Sequence, residues 1–261
     1  MKIALIASSY PRYEGDGTAP FIQAIAEGLV QLGHEVEALV PYDPAVRPME
    51  THGVRLHHFR YTWRKHWHIM GHGRALESDV RLRPLAVFLI PFFVVAAFIH
   101  LWKITTRQKS DVIYAHWVLP NGLPAALVAW LRRIPLVISL HGSDVYVANK
   151  NVLYRALAGW VFRRAKAVTA CSPELKEKAI RAGGPAHTIL LPYGIDPQRF
   201  HPDLRKNNRQ MKPTISAIGR MVYKKGFKVL VAALPEVLAA HPLVRVVIGG
   251  EGPVLEELKQ Q

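Results

Sequence analysis

Apolar residues recur along this chain in two alternating rhythms. Short segments at 2–7, 35–40, 54–59, 111–115, 135–140, 166–170 and 187–191 have the length of strands and place apolar residues among few polar ones. Between them, apolar positions return every three or four residues at about 19–32, 78–106, 121–133, 151–164 and 173–182. Several of these stretches close on turn residues such as Gly33 and Gly183-Gly184, so helices are predicted there. Regular alternation of strand and helix predicts an α/β fold with a doubly wound parallel sheet covered on both faces. The pattern breaks after Tyr193-Gly194-Ile195-Asp196 into Pro197, Pro202 and the polar run Arg205-Lys206-Asn207-Asn208-Arg209, the composition of a linker. A further β-α-β pattern follows, with a strand from Pro213 to Ile218, a helix from about Gly226 to Ala240 and a strand at 244–248. The expected organisation is a first domain at 1–196, a linker at 197–212 and a second domain at 213–261. An independent α/β domain needs on the order of 100 residues, so the second is expected to be incomplete and the chain a fragment.

The segment from Leu85 to Trp102 departs from the amphipathic norm. It is apolar apart from His100, contains Pro91, and is flanked by Arg81, Arg83, Lys103, Arg107 and Lys109. Its length reaches the lower limit for crossing a bilayer. Crossing would place strands of one sheet on opposite sides of the membrane, so a crossover helix is expected instead. The alternative is a monotopic surface helix, its apolar residues dipping into lipid while the basic flanks meet anionic headgroups.

Composition narrows the partners without choosing one. The 261 residues carry a net charge of +15, which calls for an acidic partner: nucleic acid, an anionic membrane surface or phosphorylated small molecules. The cations are scattered and no nucleic-acid-binding motif is present, so nucleic acid is not expected. His57-His58 and His66-Trp67-His68 match no zinc spacing and read as basic surface. A single cysteine, Cys171, excludes an intramolecular disulfide and fits a reducing, cytoplasmic compartment; a small buried apolar role is expected for it. The apolar run at Met1–Ile6 is too short for a signal peptide and reads as a first strand.

Three places carry candidate chemistry. The first strand opens into Ser8–Thr18, a loop containing Gly15 and Gly17, and a helix follows it. Glycine lets backbone approach a ligand and the helix start favours an anion. The loop lacks the G-x-G-x-x-G spacing of dinucleotide sites and the G-K-[ST] of a P-loop, and a flexible turn explains it equally well. His116 and His141 end two predicted parallel strands, the edge where open α/β sheets bind ligands. Asp144, beside His141 and Gly142, reads as a helix N-cap or as a group orienting His141. Gly219-Arg220 with Lys225-Gly226 puts two cations where a strand hands over to a helix, a place suited to a diphosphate.

Taken in order, Glu14-Gly15-Asp16-Gly17-Thr18, Gly33-His34-Glu35-Val36, Ala115-His116-Trp117, His141-Gly142-Ser143-Asp144, Pro192-Tyr193-Gly194-Ile195-Asp196, Gly219-Arg220 with Lys225-Gly226, and Gly249-Gly250-Glu251-Gly252-Pro253 resemble the motifs of family 4 retaining glycosyltransferases. The resemblance spans nearly the whole chain. It implies a GT-B architecture of two Rossmann-like domains and hexosyl transfer from a nucleotide-sugar to a lipid-linked or polysaccharide acceptor, with retained anomeric configuration. It further implies that Gly15 and Gly17 lie near the donor diphosphate, that Arg220 and Lys225 neutralise it, and that His141 touches the transferred sugar. Gly250 and Gly252 would lie near the nucleotide, and His116 and Asp144 on the acceptor side. No Asp-x-Asp motif is present, so neither metal nor other cofactor is expected. Family members continue past the Gly249 region into a segment with two glutamates seven residues apart. Glu256 and Glu257 do not supply that pattern, so little activity is expected of the chain alone. A non-catalytic module that binds acceptor or membrane is the alternative. The expected location is cytoplasmic, peripheral at the inner face of the cell membrane.

Overall fold

The run at 2–7 folds into a strand because successive residues can be buried on opposite faces of a covered sheet. In the computed structural model, which describes residues 1–74, 83–198, 200–201 and 212–261, the chain forms two compact units, Met1–Gly194 and Ile195–Gln261. The first unit holds β1 (Lys2–Ile6), β2 (Glu35–Pro41), β3 (Arg55–Phe59), β4 (Val112–His116), β5 (Leu136–Leu140), β6 (Ala167–Ala170) and β7 (Ile189–Leu190). All pair in parallel in the order β3-β2-β1-β4-β5-β6-β7. The order reverses between β1 and β4, which is where ligand crevices open at the carboxyl edge of such sheets.

Helices cover both faces. α1 (Pro20–Gln31) and the segment around Val54 pack on one side with Leu5, Tyr10, Ile22 and Val36. On the other side lie α2 (Pro84–Gln108), α3 (Gly122–Arg132) and α5 (Val152–Phe162), whose Phe93, Leu101, Ala125 and Val161 join Ile6, Ile113 and Ile138 in the larger core. α6 (Pro173–Arg181) is capped by the Ser172 hydroxyl, which accepts from the Leu175 N–H. The helix start expected at Asp144 is present as α4 (Ser143–Ala148), which follows β5 directly and is too brief to show a period in the sequence. The predicted helix at 78–106 begins at Pro84 and runs to Gln108, while residues 78–82 and the polar run at 205–209 lie outside the described residues.

The expectation of a wholly basic histidine surface needs correcting. His68 is buried, edge-on to Tyr42 and Tyr61, because those rings close over it. His57 pairs with Glu37 across β2 and β3 at 2.9 Å. Cys171 is half-buried at the rim of the larger core.

The second unit pairs β8 (Thr214–Ile218) in parallel with β9 (Arg245–Gly249), connected by α7 (Phe227–Ala240) and followed by α8 (Leu255–Lys259). Its core is Met221, Phe227 and Val254. The fold class is thus α/β, a doubly wound parallel sheet followed in sequence by a second β-α-β unit.

Candidate functional site

At the carboxyl edge of the first sheet, adjacent strands deliver His116 and His141 side by side. His116 ends β4 and is wholly buried, with its Nδ1 2.9 Å from Nε2 of His141 and the two rings stacked at 5.1 Å. Nδ1 of His141 in turn meets the Tyr193 hydroxyl at 2.5 Å, and those rings lie nearly parallel at 10°. Phe21, from the first turn of α1, sits 5.1 Å from His141 and 4.7 Å from Tyr193, and Trp117 closes the other side at 4.7 Å from His141.

This aromatic enclosure sets the charge of the pair. Burial pulls the His141 imidazole down to about 3 and holds His116 well below the ordinary histidine value, with the His141 ring adding to the effect on His116. Both rings are therefore neutral at physiological pH, with one N–H each. Nε2 of His116 is buried without a partner among the described residues. An orphaned lone pair costs less than an orphaned donor, so the favoured assignment has His116 Nδ1 donating to His141 Nε2. His141 Nδ1 then donates to the Tyr193 oxygen. A ligand hydroxyl replacing the tyrosine would accept that same N–H.

Asp144 holds the edge in place. Its carboxylate accepts from the Val118 N–H at 2.9 Å, the Gly142 N–H at 3.0 Å and the His141 N–H at 3.4 Å, tying the end of β4 to the end of β5. Burial raises the Asp144 pKa, against the pull of these backbone donors. Two expectations change here. Gly142, not Asp144, caps α4, and Asp144 fixes His141 through backbone rather than through its ring. Asp144 and His116 are 3% and 0% exposed, so both shape this edge from beneath its surface. Asn121 completes the frame by donating to the His116 carbonyl at 2.7 Å. Trp117 sits at φ 67°, an uncommon conformation for a bulky side chain, and its N–H bonds the Ser139 carbonyl at 2.9 Å.

The loop after β1 belongs to the same edge through Phe21. Arg12 grips Asp16 with Nε at 2.6 Å and Nη2 at 3.1 Å, while Asp16 accepts from the Thr18 N–H and hydroxyl at 3.1 and 2.8 Å. The Arg12 hydrogen bond holds the Asp16 carboxyl far below the usual carboxylate range. Asp16 is thus a brace inside the loop, and the glycines on either side face outward. A Cβ built on Gly17 meets nothing within 4 Å among the described residues.

In the second unit, Arg220 and Lys225 are both exposed, flanking the turn between β8 and α7. Gly250 and Gly252 are required to be glycine by backbone packing. A Cβ on Gly250 would stand 1.9 Å from the Gly219 carbonyl oxygen, and one on Gly252 would stand 2.2 Å from that of Met221. These glycines let the loop after β9 lie against the loop bearing Arg220, joined by Gly219 N–H to Gly249 and Met221 N–H to Glu251. Packing therefore accounts for both without a nucleotide. Phe21, Trp117 and Tyr193 were not singled out as site residues from the sequence. Trp117 and Tyr193 sit inside motifs, and Phe21 shows no signal beyond opening the helix behind the glycine loop.

Comparison with known proteins places this edge in context. Residues 16–194 match the glycosyl transferase 4-like domain. The teichuronic acid biosynthesis glycosyltransferase TuaC of Bacillus subtilis (strain 168) is 28% identical over 292 residues, covering 100% of this chain and 68% of that protein. A GDP-mannose-dependent alpha-(1-6)-phosphatidylinositol monomannoside mannosyltransferase of Mycobacterium tuberculosis (strain CDC 1551 / Oshkosh) is 34% identical over 172 residues, covering 60% of this chain and 43% of that protein. The crystal structure of Anabaena HepE in complex with UDP and glucose superposes with a TM-score of 0.60 at 20% identity, covering 100% of this chain and 65% of that one. The chain thus spans about two thirds of the length of TuaC and HepE. With a doubly wound sheet, its switch point and paired strand-end histidines inside the matched region, the chain belongs to the glycosyl transferase 4-like family of GT-B glycosyltransferases.

Proposed function

We propose that this protein takes part in transfer of a hexosyl group from a nucleotide-sugar to a lipid-linked or polysaccharide acceptor, with retention at the anomeric carbon and without a metal. The observation that carries the reading is the neutral His116–His141 pair, set at the switch edge of a sheet matched to the family. HepE binds UDP and glucose, and the mycobacterial relative acts on a phosphatidylinositol mannoside, which supports a nucleotide-sugar donor and a glycolipid or glycan acceptor.

Departure of a nucleoside diphosphate builds negative charge on the leaving oxygens. Arg220 and Lys225 are assigned to neutralise it, stabilising charge where it develops. Gly15 and Gly17 are assigned to the backbone approach to the diphosphate, and His141 Nδ1 to a sugar hydroxyl once Tyr193 gives way. The reaction is assigned to the cytoplasmic side of the cell membrane.

Titration of the 261-residue chain with nucleoside diphosphates, alongside a donor-turnover assay, tests this reading. Arg220→Ala and Lys225→Ala should each weaken diphosphate binding by about tenfold or more, the value of a charge-assisted contact. Unchanged affinity in both removes the diphosphate assignment. Measurable turnover rejects a purely acceptor-binding module.

A further inference from the structure

We propose that the outward face of α2, extended by the end of α3, docks on an anionic bilayer surface, with the helix lying along the membrane plane. Vesicle binding needs neither donor nor turnover, so this surface stands or falls separately from the glycosyl-transfer reading. A crossover helix must bury one face, and α2 does so with Ala86, Leu89, Phe93, Ala97, Leu101 and Ile104. Its other face would normally be polar. α6 follows that rule, presenting Glu174, Glu177 and Arg181 to solvent. α2 does not: Val87, Phe88, Phe92, Val95, Ile99 and Trp102 point outward, 38–58% exposed. Only 28% of its most apolar 18-residue stretch is buried, so the core does not explain the composition.

The patch continues onto α3, where Trp130 and Leu131 are exposed and Leu131 shares a shallow hollow with Phe98, Ile99, Trp102 and Lys103. Cations border it. Between residues 83 and 143 the sequence carries Arg83, Lys103, Arg107, Lys109, Arg132 and Arg133 against a single acid, Asp111. Arg132 lies over the Trp102 ring at 5.2 Å, where apolar surface meets charge, the position indoles favour at a lipid interface.

Charge selects the occupant. A second copy docked face to face would bring these cations against one another, whereas anionic headgroups neutralise them while the acyl boundary takes the apolar stripe. Spanning is ruled out by the opposite face, which packs in the core, and by the return of the chain into β4 beside β1. Phe93 packs on Phe59 at the carboxyl end of β3, 5.1 Å apart, so the first turns of α2 lie toward the edge that holds His141. A lipid-linked acceptor would be met at that edge.

Co-sedimentation of the full chain with phosphatidylcholine vesicles, and with vesicles of phosphatidylcholine and phosphatidylglycerol, tests the proposal. Binding is expected only to the anionic vesicles and should weaken as salt is raised. Phe88→Glu/Phe92→Glu should lower affinity at least about tenfold. Lys103→Gln/Arg107→Gln should lower it about thirtyfold at low salt, from roughly 1 kcal/mol per cation. The second pair removes charge without introducing any into the apolar stripe, so it keeps the test valid if the first pair folds poorly. No binding to anionic vesicles, binding untouched by both pairs, or a dimer in sedimentation velocity that Phe88→Glu dissolves would each overturn it.

Discussion

The edge around His141 and the turn around Arg220 solve opposite problems. His116 ends β4 and His141 follows β5, central strands of a seven-stranded sheet, and the pair is enclosed by Phe21, Trp117 and Tyr193 and braced by a buried carboxylate. Arg220 and Lys225 stand exposed on a turn beside a two-stranded sheet. In the first unit, packing positions neutral groups and fixes their tautomers. In the second, close backbone contact positions a loop that displays full charges. A neutral hydrogen-bonding group needs burial to stay neutral and directed, whereas a cation needs only a fixed backbone.

The glycines of the second unit give that contrast its sharpest test. Gly250→Ala sets a methyl against the Gly219 carbonyl oxygen at a position with φ 146°, so the two loops must part. Steric overlap of this kind with backbone, together with backbone strain, should cost more than about 3 kcal/mol of local stability. Hydrogen exchange should show lost protection in β8 and β9 with protection retained at β4 and β5. Unaltered protection in the second unit would mean that the loop contact is not what holds Arg220.

A smaller effect separates the two regions by pH. The unfolded chain protonates histidine near 6.5, whereas folded His141 resists until about 3. Between those values the unfolded state binds more protons, so stability falls as pH drops below about 6.5, by up to about 1.4 kcal/mol per pH unit for each buried histidine. His116 pulls in the same direction, and the depressed Asp16 carboxyl adds a further loss at lower pH still. Urea unfolding at pH 7.5 and 5.5 should show this slope, reduced by up to about 1.4 kcal/mol per unit in His141→Gln. Equal slopes in the two proteins would mean that His141 is not held neutral by its surroundings.

How much of this was legible in the sequence follows the same division. The strand at 2–7 was readable because burial on both faces leaves the uninterrupted apolar run Ile3-Ala4-Leu5-Ile6-Ala7. The clustering of His116 with His141 was readable from strand ends alone. The roles of Asp144, Gly250 and Gly252 were not. A carboxylate holding three N–H groups looks in sequence like any helix-start aspartate, and a glycine required by a neighbouring carbonyl looks like one required by a ligand. Phe21 was hidden because its apolar periodicity fits the core of α1 equally well. The outward stripe of α2 was half legible: its composition was plain, but which side was covered depended on how the helix turned.

Gly17 offers the finest cut, because it is the counterpart of Gly250 in the other unit. An added methyl meets nothing within 4 Å among the described residues, and the residue lies outside the positive-φ glycines, so Gly17→Ala should change stability by less than about 0.5 kcal/mol. The Arg12–Asp16–Thr18 bonds that shape the loop involve no atom of Gly17 and should persist. If the open space above Gly17 receives the donor diphosphate, the methyl occupies it, and nucleoside diphosphate affinity should fall about tenfold while the urea midpoint stays put. Loss of stability without loss of affinity would make Gly17 a packing glycine like Gly250, and the distinction between the two units would disappear at that position.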